Sequence, residues 1–534
     1  MAWTPAIALD RISRDRKAVV KLGARQIALF EANGAIYACN NRCPHEGYPL
    51  REGTLDGCVL TCNWHNWKFD LRDGTNLLGG DRLRTYPTRI AEGRVWVDLS
   101  DPPAAERAAA ALANLRDPFD DHAYDRMARE LARLIKIGSD PLRAVAAAIL
   151  WSHDRLEFGT THAYPAAAGW LALYARRNEP EARLISLVEA VGHMAWDVLR
   201  EPVRLFTSEE RPFDPAAFLG AVEAEDEVAA VALLRGALAQ GLRFADLERV
   251  LTAAALRHYA DFGHSLIYVV HTGHLIERLG PEVEAPLLLA LTRSLVYAYR
   301  EDRIPEFRRY AAVLADWPPG DWGEADEGDS EAARPKPADF FGRSINEAMR
   351  TALEHAAAGA APEALFRALI GANALNLLRY DTRYQERTDG PVADNVGWLS
   401  FTHGITFANA VREQCRKYPE FWPQGLLQMA CFAGRNAGYT DPEVALEAWR
   451  VEDLAAFDAA CLDRIFDHGE RDYIFSAHLL KTYLAAREEV EAGLPPEIET
   501  VLMAAVNRYF RSPLKHKHTR RTAHQALRFV ALED

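Results

Sequence analysis

No apolar stretch in this 534-residue chain approaches the ~20 residues that a membrane-spanning helix needs. The opening MAWTPAIALDRISRDRK lacks a charged start followed by an apolar run, so no export leader is expected. Cysteine is scarce: seven, an odd number thinly spread, which does not make a disulfide framework. These absences fit a cytoplasmic, reducing compartment. Positive charge is short too, with 62 Lys and Arg against 76 Asp and Glu, for a formal net charge of −14. Phosphate binding needs a basic surface, so nucleic acid is excluded as the expected partner. The one densely basic run, KHKHTRR at 515–521, reads as a solvated helix start. No repeat of fixed period is present.

What is there is ordinary for a globular protein: 49% hydrophobic and 26% charged residues. The length suggests about three or four domains, although one large helical domain absorbs much of it. Residues 1–100 alternate short β-type runs with turn signals, as in AVVKLG, QIALFEANGAIYACN and RLRTYPTRIAEGRVWVDL. Asn33-Gly34 and Glu92-Gly93 sit between apolar runs as hairpin turns. At SDPPAAERAAAALANL two prolines end the last strand and the dominant period becomes helical, with roughly fifteen to twenty helices to the C-terminus. The expected fold is multidomain: a small antiparallel all-β domain over 1–102, then a large all-α domain over 103–534. Inside the latter, DWPPGDWGEADEGDSEAARPKPADF at 316–340 combines Pro, Gly and acid and is expected to form a mobile surface loop.

The β region holds CPHEGYPLREGTLDGCVLTCNWHNWKF, in which Cys43 and His45 form a C-x-H pair and Cys62 and His65 a C-x-x-H pair. Two thiolates and two imidazoles in that order suit a [2Fe–2S] centre with one iron held by sulfur and the other by nitrogen. A tetrahedral zinc ion uses the same donors, but zinc fingers usually pair Cys with Cys and His with His. The surrounding segments CPHEG, CNWHNWKFDLRDGT and LRTYPTRIAEGRVWVD resemble the Rieske ferredoxin and oxygenase-component family over roughly the first hundred residues. The resemblance implies a [2Fe–2S] cofactor bound by Cys43, His45, Cys62 and His65. Asn66 stands where the family usually has Gly, and Asn is the non-Gly residue that best tolerates positive φ, so the turn can survive. Tyr48 stands where the respiratory-chain branch has a clamping cysteine, which points to the soluble, lower-potential branch. Trp64 and Trp67 are expected to shield the loops or simply to pack. Cys39, Cys58, Cys415, Cys431 and Cys461 have no partner at ligand spacing and read as small buried residues.

An ordinary Rieske oxygenase would add a 2-His-1-carboxylate iron site whose histidines are spaced H-x₄-H. No histidine here has another five positions later, and the helical character fits that fold no better. A ferritin-like di-iron site needs two E-x-x-H motifs, and only Asp261–His264 offers a comparable spacing. What remains is a set of histidines in apolar helices: His162, His264, His403 and His478, with His271 and His274 on the face that His264 opens. Singly, each passes as a core histidine; the set carries the weight. The segments resemble the questin-oxidase-like family: His162 with LALYARRNEPE, His264 with SLIY, His403 with GIT, and His478 with Lys481. Tyr268 replaces the second histidine of that family's H-P-L-I-H segment.

That resemblance implies oxygen-dependent chemistry on an aromatic or quinone-like small molecule, with His162, His264, His403 and His478 as catalytic residues. Two routes stay open: neutral histidines taking a substrate proton without a metal, or histidines holding a second, mononuclear metal such as iron. No Gly-rich dinucleotide fingerprint follows a strand, so an external NAD(P)H- or flavin-dependent reductase or a ferredoxin is expected as electron donor. The rival reading is a non-catalytic electron carrier or redox sensor whose helical part docks a partner protein.

Overall fold

The computed structural model describes residues 3–257, 261–300, 303–320 and 334–532. By contacts the chain divides into two compact units, Met1–Ala148 and Ile149–Asp534.

The first unit is built on ten strands: β1 (Trp3–Ala8), β2 (Lys17–Leu22), β3 (Arg25–Ala32), β4 (Ala35–Asn40), β5 (Thr54–Asp56), β6 (Val59–Thr61), β7 (Lys68–Asp70), β8 (Thr85–Tyr86), β9 (Thr88–Ala91) and β10 (Arg94–Asp98). They form three antiparallel sheets, ordered β1-β10-β9, β2-β3-β4-β8 and β5-β6-β7. Asn33 and Gly34 close the β3–β4 hairpin with φ of 52° and 77°, and Glu92 and Gly93 close β9–β10 with 53° and 67°. Paired positive φ matches the twist of the flanking strands, which is why Asn-Gly marks such turns. Phe30, Leu50, Leu60 and Phe69 are buried beside Cys43 and Cys62, so an apolar core backs the cysteine loops. After Pro102 and Pro103 the chain turns helical at Ala104–Asp120 and Tyr124–Ile137, and both helices belong to this compact unit.

The second unit is helical; its one β-bridge among the described residues joins Tyr380 to Thr440. Helix Trp398–Lys417 packs against His264–Leu279, Pro362–Leu378, Trp422–Asn436 and Tyr473–Glu491. Twenty-one helices follow Ala104 among the described residues, more than expected, because Tyr310–Ala315, Pro337–Phe340 and Arg383–Glu386 are short turns that carry no amphipathic period. Of the expected loop at 316–340, residues 321–333 lie outside the described residues. Its last four form a helical turn, with Pro337 at the first position and the Asp339 carboxylate accepting from the Lys336 N–H at 2.7 Å. The KHKHTRR run leads into the exposed helix Thr519–Val530. No helix among the described residues is long and apolar enough to cross a membrane.

Candidate functional site

The two cysteine loops repeat one backbone design. Cys43 N–H donates to the Tyr48 carbonyl at 2.9 Å while Gly47 N–H returns to the Cys43 carbonyl at 2.8 Å. Cys62 N–H donates to Trp67 at 2.8 Å while Asn66 N–H returns to Cys62 at 2.9 Å. Gly47 has φ 77° and Asn66 φ 61°, so Asn66 fills the left-handed position that glycine fills in the first loop.

These loops bring the four predicted ligands together. The Nδ1 atoms of His45 and His65 face each other at 3.1 Å. Cys43 and Cys62 are buried in the same apolar cluster, and burial, with Cys62 adding to it, pushes the Cys43 thiol up to about 12. Burial holds His45 below the ordinary imidazole range, with His65 adding to the effect, so its ring is neutral and offers a lone pair. Two converging sulfurs and two converging imidazole nitrogens are the donor set that a [2Fe–2S] group takes, and iron would supply the charge that drives the thiol protons off. Trp67 stacks on His45 with centroids 4.5 Å apart, and Trp64, 58% exposed, stacks on His65 at 5.5 Å. Trp67 therefore packs over one histidine, while Trp64 lies open to solvent. Glu46 approaches His65 Nε2 to 3.9 Å. Arg129, more than eighty residues from the first loop and without any spacing signal toward it, donates to the carbonyls of Pro44, at 2.9 Å, and His45.

Cys39, Cys415, Cys431 and Cys461 are buried. Cys58 departs from its expected burial: it is half-buried, within hydrogen-bond reach of Tyr37 Oη at 3.4 Å and Asn33 Nδ2 at 3.5 Å.

In the second unit the four helical histidines also meet. His162 precedes helix Ala163–Arg176, His264 opens His264–Leu279, His403 lies in Trp398–Lys417 and His478 in Tyr473–Glu491. His264 Nε2 lies 3.1 Å from His162 Nε2, and His478 Nε2 3.3 Å from His403 Nε2. The His264 and His403 rings are 4.5 Å apart and those of His162 and His478 5.0 Å. Ligand atoms of His162, His264 and His403 all lie within 4.8 Å of one another. Burial holds His162, His403 and His478 well below the ordinary imidazole range, and the neighbouring imidazoles and Lys481 push the same way. His478 Nδ1 lies 2.6 Å from the Ile474 carbonyl, which can only accept; Nδ1 therefore carries the proton and Nε2 the lone pair.

Around them, Tyr268 stacks on His264 at 5.5 Å, in the place the resemblance gives to a histidine. Phe262, with φ 54°, has its ring 6.2 Å from that of His403 and carries the Arg435 guanidinium 3.8 Å over its own ring. A left-handed aromatic residue is rare and strained. Thr161 donates to Asp197 at 2.5 Å beside His162, and burial pushes that carboxyl up to about 6. Phe262, Arg435 and Asp197 carry no spacing signal, and sequence reasoning missed them. His271 and His274 stay outside the cluster: they contact each other at 5.5 Å, and His274 pairs with Glu413 at 3.1 Å.

A family profile described as the Rieske [2Fe-2S] domain matches residues 2–87. The chain is similar to the 4beta-methylsterol monooxygenase of Methylococcus capsulatus, 36% identical over an alignment of 99 residues that covers 16% of this chain and 27% of that protein. It therefore spans about a quarter of that relative's length. It is also similar to the ferredoxin component of the naphthalene 1,2-dioxygenase system of Pseudomonas putida, 34% identical over 100 residues, 18% of this chain and 96% of the ferredoxin. Among solved structures, the ferredoxin of carbazole 1,9a-dioxygenase from Nocardioides aromaticivorans is 19% identical and overlaps 19% of this chain and 100% of its own, with a TM-score of 0.18.

Proposed function

The chain belongs to the Rieske [2Fe–2S] family through its N-terminal residues, and from that premise we propose that it is an oxygenase whose substrate site is the histidine core of the helical unit. A bound [2Fe–2S] group supplies electrons one at a time, and the histidine core is where that reducing power would be used, on an aromatic or quinone-like small molecule. Relatives named as ferredoxin components of dioxygenase systems support an external reductase or ferredoxin as the electron source.

The observation that carries this reading is the convergence of His162, His264, His403 and His478 on one buried point from four separate stretches of chain. An imidazole held well below its ordinary range is a weak base near neutral pH but a good metal ligand. The depressed values thus favour ligands over general bases, and the Ile474 carbonyl supports the same role by fixing the His478 tautomer. His162, His264 and His403, with His478 beside them, would hold a mononuclear metal such as iron, which would supply a Lewis-acidic, redox-active centre. The protein's own part is to keep His162, His403 and His478 neutral and dry and to bound the site with Tyr268 and Phe262.

The test is metal and labile-sulfide analysis of anaerobically purified wild type, Cys43→Ser/Cys62→Ser and His403→Ala/His478→Ala. The expected result is loss of cluster iron and sulfide from the cysteine pair alone, and loss of a further metal from the histidine pair alone. Wild type with cluster iron only would leave the histidines to metal-free chemistry, while zinc without sulfide would sink the oxidoreductase reading altogether.

A further inference from the structure

The N-terminal unit contains a cleft of about 960 Å³ between the Arg42–Pro44 stretch of the first cysteine loop and the helices Ala104–Asp120 and Tyr124–Ile137. Its walls carry eight arginine or lysine side chains and two carboxylates, Asp101 and Glu130. This excess stands in a chain whose net charge is −14.

The two carboxylates do not balance the cations. Asp101 is shared, lying 3.1 Å from Arg25 and 2.5 Å from Arg84. Glu130 pairs with Arg133 but is buried, and burial pushes its carboxyl up to about 7, so it carries only part of a charge at neutral pH. Arg42, Arg107 and Lys136 have no acidic partner within ion-pair distance among the described residues, and Arg129 spends its Nη1 on the Pro44 and His45 carbonyls. Like charges gathered in a concave, low-dielectric wall repel one another, and an anion in the cleft relieves that repulsion. Planar guanidinium forks match phosphate and carboxylate oxygens in pairs. The volume is that of a small-molecule site.

We propose that this cleft binds a small polyanion carrying phosphate or carboxylate groups, and that its occupancy lowers the reduction potential of the neighbouring [2Fe–2S] centre. The first half stands on the cleft alone; the second rests on the Rieske reading. Arg129 links the two, since it lines the cleft and holds the backbone between Cys43 and His45. Negative charge beside the centre disfavours the added electron, so the oxidised form binds the anion more tightly. A tenfold preference for the oxidised form corresponds to about 59 mV for a one-electron couple.

The experiment is isothermal titration of the full-length protein with inorganic pyrophosphate, citrate and, separately, poly-L-glutamate, followed by redox titration of the centre with and without the anion that binds. Wild type is compared with Arg107→Gln/Lys136→Gln, which leaves the cysteine loops untouched. Saturable binding of pyrophosphate or citrate, weakened at least tenfold in the double variant with an unchanged cluster spectrum, is expected, as is a downward shift in potential. Pyrophosphate alone would identify phosphate as the group recognised, and citrate alone carboxylate. Binding of neither, equal binding by the variant, or binding of poly-L-glutamate only would overturn the small-anion site. Anion binding without a shift in potential would overturn the coupling. A preparation without iron and sulfide would overturn the Rieske reading and the coupling with it, while the titration heats would still decide the cleft.

Discussion

His403 Nε2 and His478 Nε2 face each other across 3.3 Å although 75 residues of sequence separate them. Both rings are buried and depressed in basicity, so each is neutral and at most one proton lies between the two Nε2 atoms. Such a pair either shares one proton or shares a cation. If it shares a metal, His403→Ala and His478→Ala should each lower the metal retained in the helical unit by at least about tenfold, the lower end of what a lost supporting group costs a metal site. The electron paramagnetic resonance signal of the [2Fe–2S] centre should be unchanged in both, and metal-to-protein ratios after anaerobic purification measure the loss. Full metal content in both variants would show that the pair is only a shared-proton contact.

Asn66 is the second case, because the turn that positions His65 depends on its φ of 61°. Asn66→Gly should leave stability unchanged or slightly raised. Asn66→Val should cost about 1–2 kcal/mol, the penalty for placing a Cβ in the left-handed region, with more for its branch. Thermal unfolding and iron content of the two variants, measured side by side, check this; equal behaviour of the valine variant and wild type would contradict the turn geometry.

The ease of reading differed between the regions for a physical reason. Cys43, His45, Cys62 and His65 lie close in sequence on two turns, so their spacing, with the segments around them, made the donor set legible. The hairpins at Asn33-Gly34 and Glu92-Gly93 were legible in the same way, since positive φ leaves a mark on composition. The helical histidines could be singled out, but what each faces depends on packing between helices distant in the chain. Thus His264 meets His162 while His271 and His274, on the same helix, do not. The basic cleft was invisible because its arginines are scattered from Arg25 to Arg133, and only folding gathers them. KHKHTRR, dense in sequence, begins an exposed helix instead. The short helix Pro337–Phe340 could have been found from the Pro at its first position and the Asp two residues later.

Lys481 yields a prediction about pH. Its Nζ is buried without a hydrogen-bond partner among the described residues, and burial pushes the amine down to about 7. In the unfolded chain the value is ~10.4. Between those values the unfolded chain holds a proton that the folded chain has lost, so this residue makes stability rise with pH. The slope is at most roughly 1.4 kcal/mol per pH unit. Lys481→Met removes the effect. Wild-type stability minus that of the variant should therefore increase by about 2–3 kcal/mol from pH 7 to pH 9 and stay level below pH 6, where both states are protonated. Urea unfolding of both proteins across that range measures it; parallel curves would mean that the amine keeps its charge when folded.

Glu489 is fully buried, and its carboxylate oxygens each lie 2.8 Å from Arg412 Nε, with Asn409 Nδ2 donating to one of them at 2.9 Å. Arg412→Met leaves a buried carboxylate with one amide donor, and the expected cost is about 3–5 kcal/mol at neutral pH. Burial already holds Glu489 above the usual carboxylate range, and loss of the arginine raises it further. The folded variant then binds a proton that its unfolded chain releases, so its deficit should shrink as the pH falls from 7 to 5. Arg412→Met/Glu489→Leu removes the charge together with its partner and should recover most of the loss, because a matched apolar pair needs no desolvated ion. Urea unfolding at both pH values, with all three proteins, separates the contributions. A double variant as unstable as the single one would show that Arg412 acts through the packing of its stem rather than through its charge.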